Sequence, residues 1–176
     1  MFIKWSTKDI KRRANLKTSL VTKVKESAIK EMPRFVEIVD EIFPKKTPVI
    51  IHHLNDHMTM YSVNGQIMLI QLGDGTIFPH LRLPIEYPGL LRSVFCFDEA
   101  VSAVLRGANL MARGTFGVDE TFNKGEIVQI CLAEEKTPFA VGIMAMSGQQ
   151  VMNKEDGAAV TVFHVLKDGL WEAKSI

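Results

Sequence analysis

The sequence predicts an α+β fold in two parts: a small α/β domain with an antiparallel sheet over residues 1–92, then a small closed or half-closed β-barrel over 93–173. Three observations carry this. Apolar residues recur with helical period before Pro33 and in short strand-like runs after Pro48. Beyond Val94 the pattern is five or six strands with one early helix. Charge divides the same way: residues 1–92 hold 14 Lys/Arg against 9 Asp/Glu, and residues 93–176 hold 7 against 11.

The whole chain of 176 residues, 47% hydrophobic and 23% charged, has a globular balance and excludes wholesale disorder. No apolar run approaches the ~20 residues of a membrane span. Met1 to Ser6 leads into charges, unlike a signal peptide. Two cysteines, Cys96 and Cys131, make no disulfide framework. A soluble, cytoplasmic protein with no membrane contact is the expectation.

In chain order, Ser6-Thr7-Lys8-Asp9 has the Ser-x-x-acid form of a helix start. Leu16, Leu20, Val24 and Ala28 follow at four-residue spacing beside Val21, predicting an amphipathic helix with Lys17, Lys23 and Lys25 on its other face. Met32-Pro33 ends it, because the residue before proline is pushed out of the helical region. A second short helix turns Phe35, Ile38, Val39 and Ile42 inward, and Phe43 to Pro48 is a proline-bounded loop. Val49–His53, Met58–Val63 and Gln66–Ile70 read as strands. Asn64-Gly65 between the last two marks a type I′ hairpin, whose central residues both need positive φ. Phe78-Pro79, Leu83-Pro84 and Tyr87-Pro88 interrupt regular structure.

The second part opens with a strand over Val94–Phe97. Asp98 caps a helix to about Arg106, with Val101, Val104 and Leu105 inward and Gly107 at its close. Leu110–Ala112 is a short strand and Arg113–Gly117 a loop. Glu126–Leu132, Phe139–Met146 and Ala159–Leu166 are further strands, and Trp171 lies in a last short one.

The chemistry-bearing residues are few. His52-His53-x-x-x-His57 is the tightest imidazole group, but on a strand His52 and His53 face opposite ways, and Leu54-Asn55-Asp56 turns the chain before His57. No metal site and no cofactor are expected. Cys96 and Cys131 lie in apolar runs, as small core residues do; a hydrolase reading would need His164 beside one of them as a base. With no paired carboxylates at useful spacing, a non-catalytic binding protein is the expectation. The glycine segment from Gly107 to Gly117 supports two readings. One is a loop that lets a phosphate backbone approach, flanked by Arg106 and Arg113; the other is a helix C-cap followed by a tight turn. Residues 1–30 carry nine Lys/Arg against two acids, with Lys11-Arg12-Arg13 consecutive, which points to an RNA or ribosome contact that Lys45-Lys46 extends.

Arg106-Gly107-Ala108-Asn109-Leu110-Met111, after a strand and a helix, resembles the start of a PUA domain, an RNA-binding fold. Val141 to Ser147 resembles its central strand and Asp168-Gly169-Leu170-Trp171 its closing strand. Upstream, Leu16-Lys17-Thr18-Ser19, Pro44-Lys45-Lys46-x-Pro48, Val63-Asn64-Gly65, Phe78-Pro79-x-Leu81-Arg82-Leu83 and Tyr87-Pro88 are similar, in the same order, to the malignant T-cell-amplified-sequence family.

The resemblance implies a C-terminal PUA pseudo-β-barrel and a translation factor. Family members work on the small ribosomal subunit as a heterodimer with density-regulated protein. The pair promotes release of deacylated tRNA and mRNA during recycling, reinitiation and non-standard initiation. It also implies RNA-facing roles near the tRNA acceptor end for Arg106, Gly107, Ala108 and Asn109, while the charge pattern makes Lys11, Arg12, Arg13, Lys17, Lys45 and Lys46 the candidate ribosome-facing residues. After Met111 the family usually has Cys-Pro; here Ala112-Arg113 stands, and the following loop adds Asp119 and Glu120. Arg113 and Lys124 are the cations left to make loop-level RNA contacts. A PUA-domain ribosome-biogenesis factor that binds precursor rRNA is the alternative.

Overall fold

The computed structural model describes residues 2–54, 57–133, 135–173 and 176. The Asn55-Asp56 part of the turn expected before His57 lies outside these residues. Ser6 does close a capping box, its backbone N–H donating to Asp9 Oδ2 at 2.7 Å, but only for the single turn Thr7–Asp9. The chain then extends into strand β1 (Arg12–Asn15), and helix α1 starts at Thr18 and runs to Glu31. The helix expected from Ser6 onward is therefore two pieces. Its apolar face begins only at Leu16, so upstream residues gain more from ladder hydrogen bonds than from a helix with nothing to bury.

Strand β1 lies antiparallel to β2 (Val49–His53), with Arg12 opposite His53 and Arg13 opposite His52. Strands β3 (Thr59–Val63), β4 (Gln66–Gln71) and β5 (Ile77–Pro79) complete an antiparallel meander in the order β1-β2-β3-β4-β5. The hairpin between β3 and β4 turns on Asn64 and Gly65 at φ 51° and 78°, as the type I′ turn requires. Val24 and Ala28 of α1 are buried. Met32 leaves helical geometry before Pro33, a 3₁₀ turn covers Pro33–Glu37, and α2 spans Val39–Ile42. Phe35 and Phe43 meet edge to face at 6.4 Å beneath them.

The proline-rich stretch is more ordered than its sequence suggests. Pro79 lies on an edge strand, and Pro84 occupies the first turn of α3 (Arg82–Glu86), where an amide hydrogen has no helical partner to lose.

The second sheet contains β6 (Arg92–Cys96), β7 (Leu110–Met111), β8 (Thr115–Gly117), β9 (Ile127–Leu132), β10 (Pro138–Met144) and β11 (Ala158–Val165). Their order is β7-β11-β10-β9-β6-β8, with β6 and β9 parallel. The two outer strands are joined by one 3₁₀ turn, Ala112–Gly114, so the sheet curls into a nearly closed barrel. Residues 113–117, expected as a loop, form that turn and β8. Helix α4 covers Asp98–Leu105 with Phe97 at the cap position; Asp98 is the first helical residue and acts on the helix dipole instead of capping. Helix α5 is Gly148–Met152, capped by Ser147. Trp171 lies in a helical turn, α6 (Gly169–Glu172), and not in a strand, because the Asp168 carboxylate accepts from Trp171 N–H at 2.9 Å and starts a helix there.

One continuous apolar cluster joins the two sheets. It runs from Phe35, Leu69 and Phe78 to Ile127, Val141, Phe163 and Leu170, with Phe78 and Phe163 ring centroids 5.0 Å apart. At its centre His164 Nδ1 hydrogen-bonds Asp168 Oδ2 at 2.8 Å, both fully buried. His80 of the first half sits against His164 at 4.6 Å and meets the Leu170 carbonyl at 3.4 Å. Arg82 reaches the Trp171 carbonyl at 2.9 Å. The N-terminus closes the seam: Phe2 is buried, and its carbonyl accepts from Gly169 N–H at 2.9 Å.

Gly169 is required by close approach, since a Cβ there would collide with the Trp5 carbonyl. Gly169→Ala is expected to destabilise the protein by about 2 kcal/mol or more and to loosen the N-terminal segment, read by urea unfolding and amide exchange at Trp5.

The buried histidines set a pH dependence. Burial, reinforced by neighbouring His164, pushes His80 down to about 3; burial, then Arg13, pushes His52 down to about 4. Both stay neutral in the folded protein, whereas unfolded histidine titrates near 6.5. Stability is therefore fully present above about pH 6.5 and is lost as pH falls toward 4, with a slope approaching ~1.4 kcal/mol per pH unit for each excluded proton. Urea midpoints at about pH 7.5 and 5 test this. His80→Phe is expected to flatten the slope, and an unchanged slope in that variant counts against the assignment.

Candidate nucleic-acid interface

Loop 106–109 is built by the end of α4. Gly107, at φ 93°, returns its N–H to the Val104 carbonyl at 2.8 Å, and Ala108 N–H reaches Ala103 at 3.1 Å. This is a glycine C-cap, and only glycine adopts that backbone without strain. Of the two sequence readings the helix C-cap is the one observed, and the tight turn follows at Ala112–Gly114. Arg106 is exposed and donates from Nη1 to Ser102 Oγ at 2.6 Å, leaving its other guanidinium donors outward. Ala108 is exposed. Asn109 accepts from Val162 N–H through Oδ1 at 3.0 Å, which locks the side chain to β11 and leaves its amide N–H groups as donors.

The other C-terminal cations stand on different elements. Arg113, on the 3₁₀ turn, pairs with exposed Asp156 at 2.8 Å. Lys124 is exposed on the turn before β9, which Gly125 ties to Met144 and which Arg92 holds through Asp119 at 3.1 Å and Glu126 at 3.0 Å. Two hydrogen bonds from Thr121, then Arg92, keep the Asp119 carboxyl below its ordinary range. Of the two acids this loop adds, Asp119 is thereby committed to a structural ion pair.

In the first half, Arg12 and Arg13 are exposed on the edge strand β1 and Lys11 is exposed just before it, none of them on a helix. Charged side chains there also discourage strand-to-strand aggregation, so the same residues serve the fold. Lys17 is the exposed N-cap residue of α1. Lys45 and Lys46 line a cavity of about 460 Å³ with Thr18, Thr22 and Lys25, beside the positive end of the α1 dipole. Lys25 itself is not on a solvated face: it bonds Asp40 at 3.2 Å and the Phe43 carbonyl at 3.1 Å.

One exposed group carries no sequence signal. Phe97 and Phe116 meet edge to face at 5.5 Å, and the Lys154 ammonium sits 5.7 Å from the Phe97 ring. Only the pairing of β6 with β8 brings these two aromatics together.

The thiol–imidazole arrangement is not assembled. Burial raises both thiols, Cys96 to about 11, while Cys131 faces Ser93 and His164 is held by Asp168. Among the described residues no group of three His, Cys, Asp or Glu could hold a metal. His52 is buried against Ser62 Oγ at 2.7 Å. Among the described residues, no helix is long and apolar enough to cross a membrane.

Comparison with known proteins agrees with this architecture. Residues 6–88 match the Pre-PUA-like domain and residues 92–166 the PUA domain. The chain is 32% identical over 179 aligned positions to malignant T-cell-amplified sequence 1-B of Xenopus laevis, covering 99% of each chain. It is 29% identical over 177 positions to translation machinery-associated protein 20 of Saccharomyces cerevisiae, covering 97% of each. A hypothetical protein from the hyperthermophilic archaeon Pyrococcus horikoshii superimposes with a TM-score of 0.74 at 27% identity, over 92% of this chain and 98% of that one. The nearly closed barrel is thus a PUA fold behind a Pre-PUA-like domain, and the chain belongs to the malignant T-cell-amplified-sequence family.

Proposed function

We propose that this protein is a non-catalytic, cytoplasmic translation factor that binds RNA and acts on the small ribosomal subunit in a heterodimer with density-regulated protein. In this reading it promotes release of deacylated tRNA and mRNA, reinitiation and non-standard initiation. The observation that supports it most is the near end-to-end match, at 32% and 29% identity, to relatives whose names include a translation-machinery-associated protein. The charge division fits. A basic first half with exposed Lys11, Arg12, Arg13, Lys45 and Lys46 suits a phosphate-rich surface, while the acidic second half offers RNA a local patch around loop 106–109.

The mechanism is binding alone. Phosphate contacts by the first half position the protein, and the PUA loop occupies the tRNA acceptor end. Occupancy shifts the release equilibrium only as far as the protein prefers the vacated state of the subunit. Modest intrinsic affinity at each face suffices, because two linked weak contacts reinforce one another.

Sedimentation of cell extract tests this at low and raised salt. The protein is expected to comigrate with free small subunits at low salt and to leave them as salt rises. Comigration with large-subunit precursors instead would establish the biogenesis alternative, and absence from all ribosomal fractions would refute both. With purified subunits, replacing Lys11, Arg12 and Arg13 together by Glu is expected to weaken binding at least about ten-fold and to lower the salt slope by up to about 3. The thermal midpoint should change little, because these side chains are exposed.

A further inference from the structure

The N-terminus reaches the C-terminal RNA loop. Phe2 to Trp5 form a tight turn, closed by Trp5 N–H on the Phe2 carbonyl at 3.1 Å, with Ile3 and Lys4 at its tip. Both ends of the turn are fixed. The same Phe2 carbonyl accepts from Gly169 N–H at 2.9 Å, the buried Phe2 ring meets His164 edge-on at 6.2 Å, and Gly169 lies directly under the Trp5 carbonyl. Its tip leans on the loop: a methyl group added at Gly107 would stand 2.9 Å from Ile3 Cγ1 and 3.3 Å from Ile3 Cδ1. Gly107 therefore excludes a side chain both by its φ of 93° and by the presence of Ile3.

We propose that the Phe2–Trp5 turn is one wall of the RNA-facing surface, with Lys4 binding a phosphate beside Arg106 and Ile3 giving an apolar bed for an unpaired 3′ strand. The inference rests on loop 106–109 facing RNA, and it adds a contact from the opposite end of the chain. Ile3 is 41% exposed, a large apolar side chain left open although the turn is anchored at both ends. Around it the surface offers exposed Lys4, the outward guanidinium of Arg106 and the amide donors of Asn109. Among the described residues neither Lys4 nor Arg106 forms an ion pair, whereas Arg113 does. A narrow, two-cation surface with an apolar floor suits a single strand of a few nucleotides. A duplex would need a broad basic face.

The test measures anisotropy of a fluorescent RNA hairpin bearing an unpaired 3′ tail, and of the same hairpin blunt-ended, against the full chain. Lys4→Glu is expected to weaken tailed-RNA binding about five-fold and to lower the salt slope by about 1. Ile3→Ala is expected to reduce the preference for the tailed RNA without changing that slope. Lys23→Glu, an equal charge change on the exposed face of α1, serves as the control for net charge. If Lys4→Glu is no worse than Lys23→Glu while Arg106→Glu still weakens binding, the N-terminal wall is wrong and the loop reading stands. If Arg106→Glu has no effect either, or tailed and blunt RNAs bind equally, the loop reading fails and takes this inference with it. Matching thermal midpoints for wild type and Lys4→Glu exclude misfolding as the cause.

Discussion

Much of the architecture depends on one buried carboxylate. Asp168 accepts hydrogen bonds from His164 Nδ1 at 2.8 Å, Val165 N–H at 2.9 Å and Trp171 N–H at 2.9 Å. Burial alone would raise its pKa, but the His164 bond and the two backbone donors outweigh it and hold the carboxyl below its ordinary value. The same three bonds end β11, orient His164 and start α6. Through α6 they present the Leu170 and Trp171 carbonyls to His80 and Arg82 of the other half. A buried charge is tolerated because nearly every lone pair it exposes is used.

A consequence is that the two halves share a core instead of meeting across a linker. Phe78 packs on Phe163, Phe2 bridges to His164, and Gly169 admits the N-terminal backbone where no side chain fits. Such a seam resists hinge motion, since sliding either half would expose apolar rings and unpair His80 and Arg82. In the proposed role this fixes the spacing between the basic surface on the first half and the loop on the second. Two weak contacts held at a fixed separation act as one stronger contact when their target has matching geometry.

Charge has a different use in each half. Along β1 the cations are exposed and protect a sheet edge. Around β9 the cation is an internal tie: Arg92 stacks on Phe122 at 3.8 Å and gathers Asp119 and Glu126. Counting charges along the chain cannot separate these uses, because both give the same composition.

What the sequence determined by itself is local. Asn64-Gly65 demanded its turn, Met32-Pro33 ended α1, and the apolar spacing of Val24 and Ala28 placed the buried face of that helix. The glycine at 107 was legible as a C-cap, since that position needs one left-handed residue. The tertiary structure decided everything that depends on a distant partner. Arg12 and Arg13 are strand and not helix because β2 offers them a ladder, and Trp171 is helical because Asp168 caps its turn. Lys25 left the solvated face for Asp40 and Phe43, and Ile3 came to rest on Gly107, more than a hundred residues away. Backbone preference acts over a few neighbours, whereas these outcomes are set by which surfaces meet when the apolar core closes.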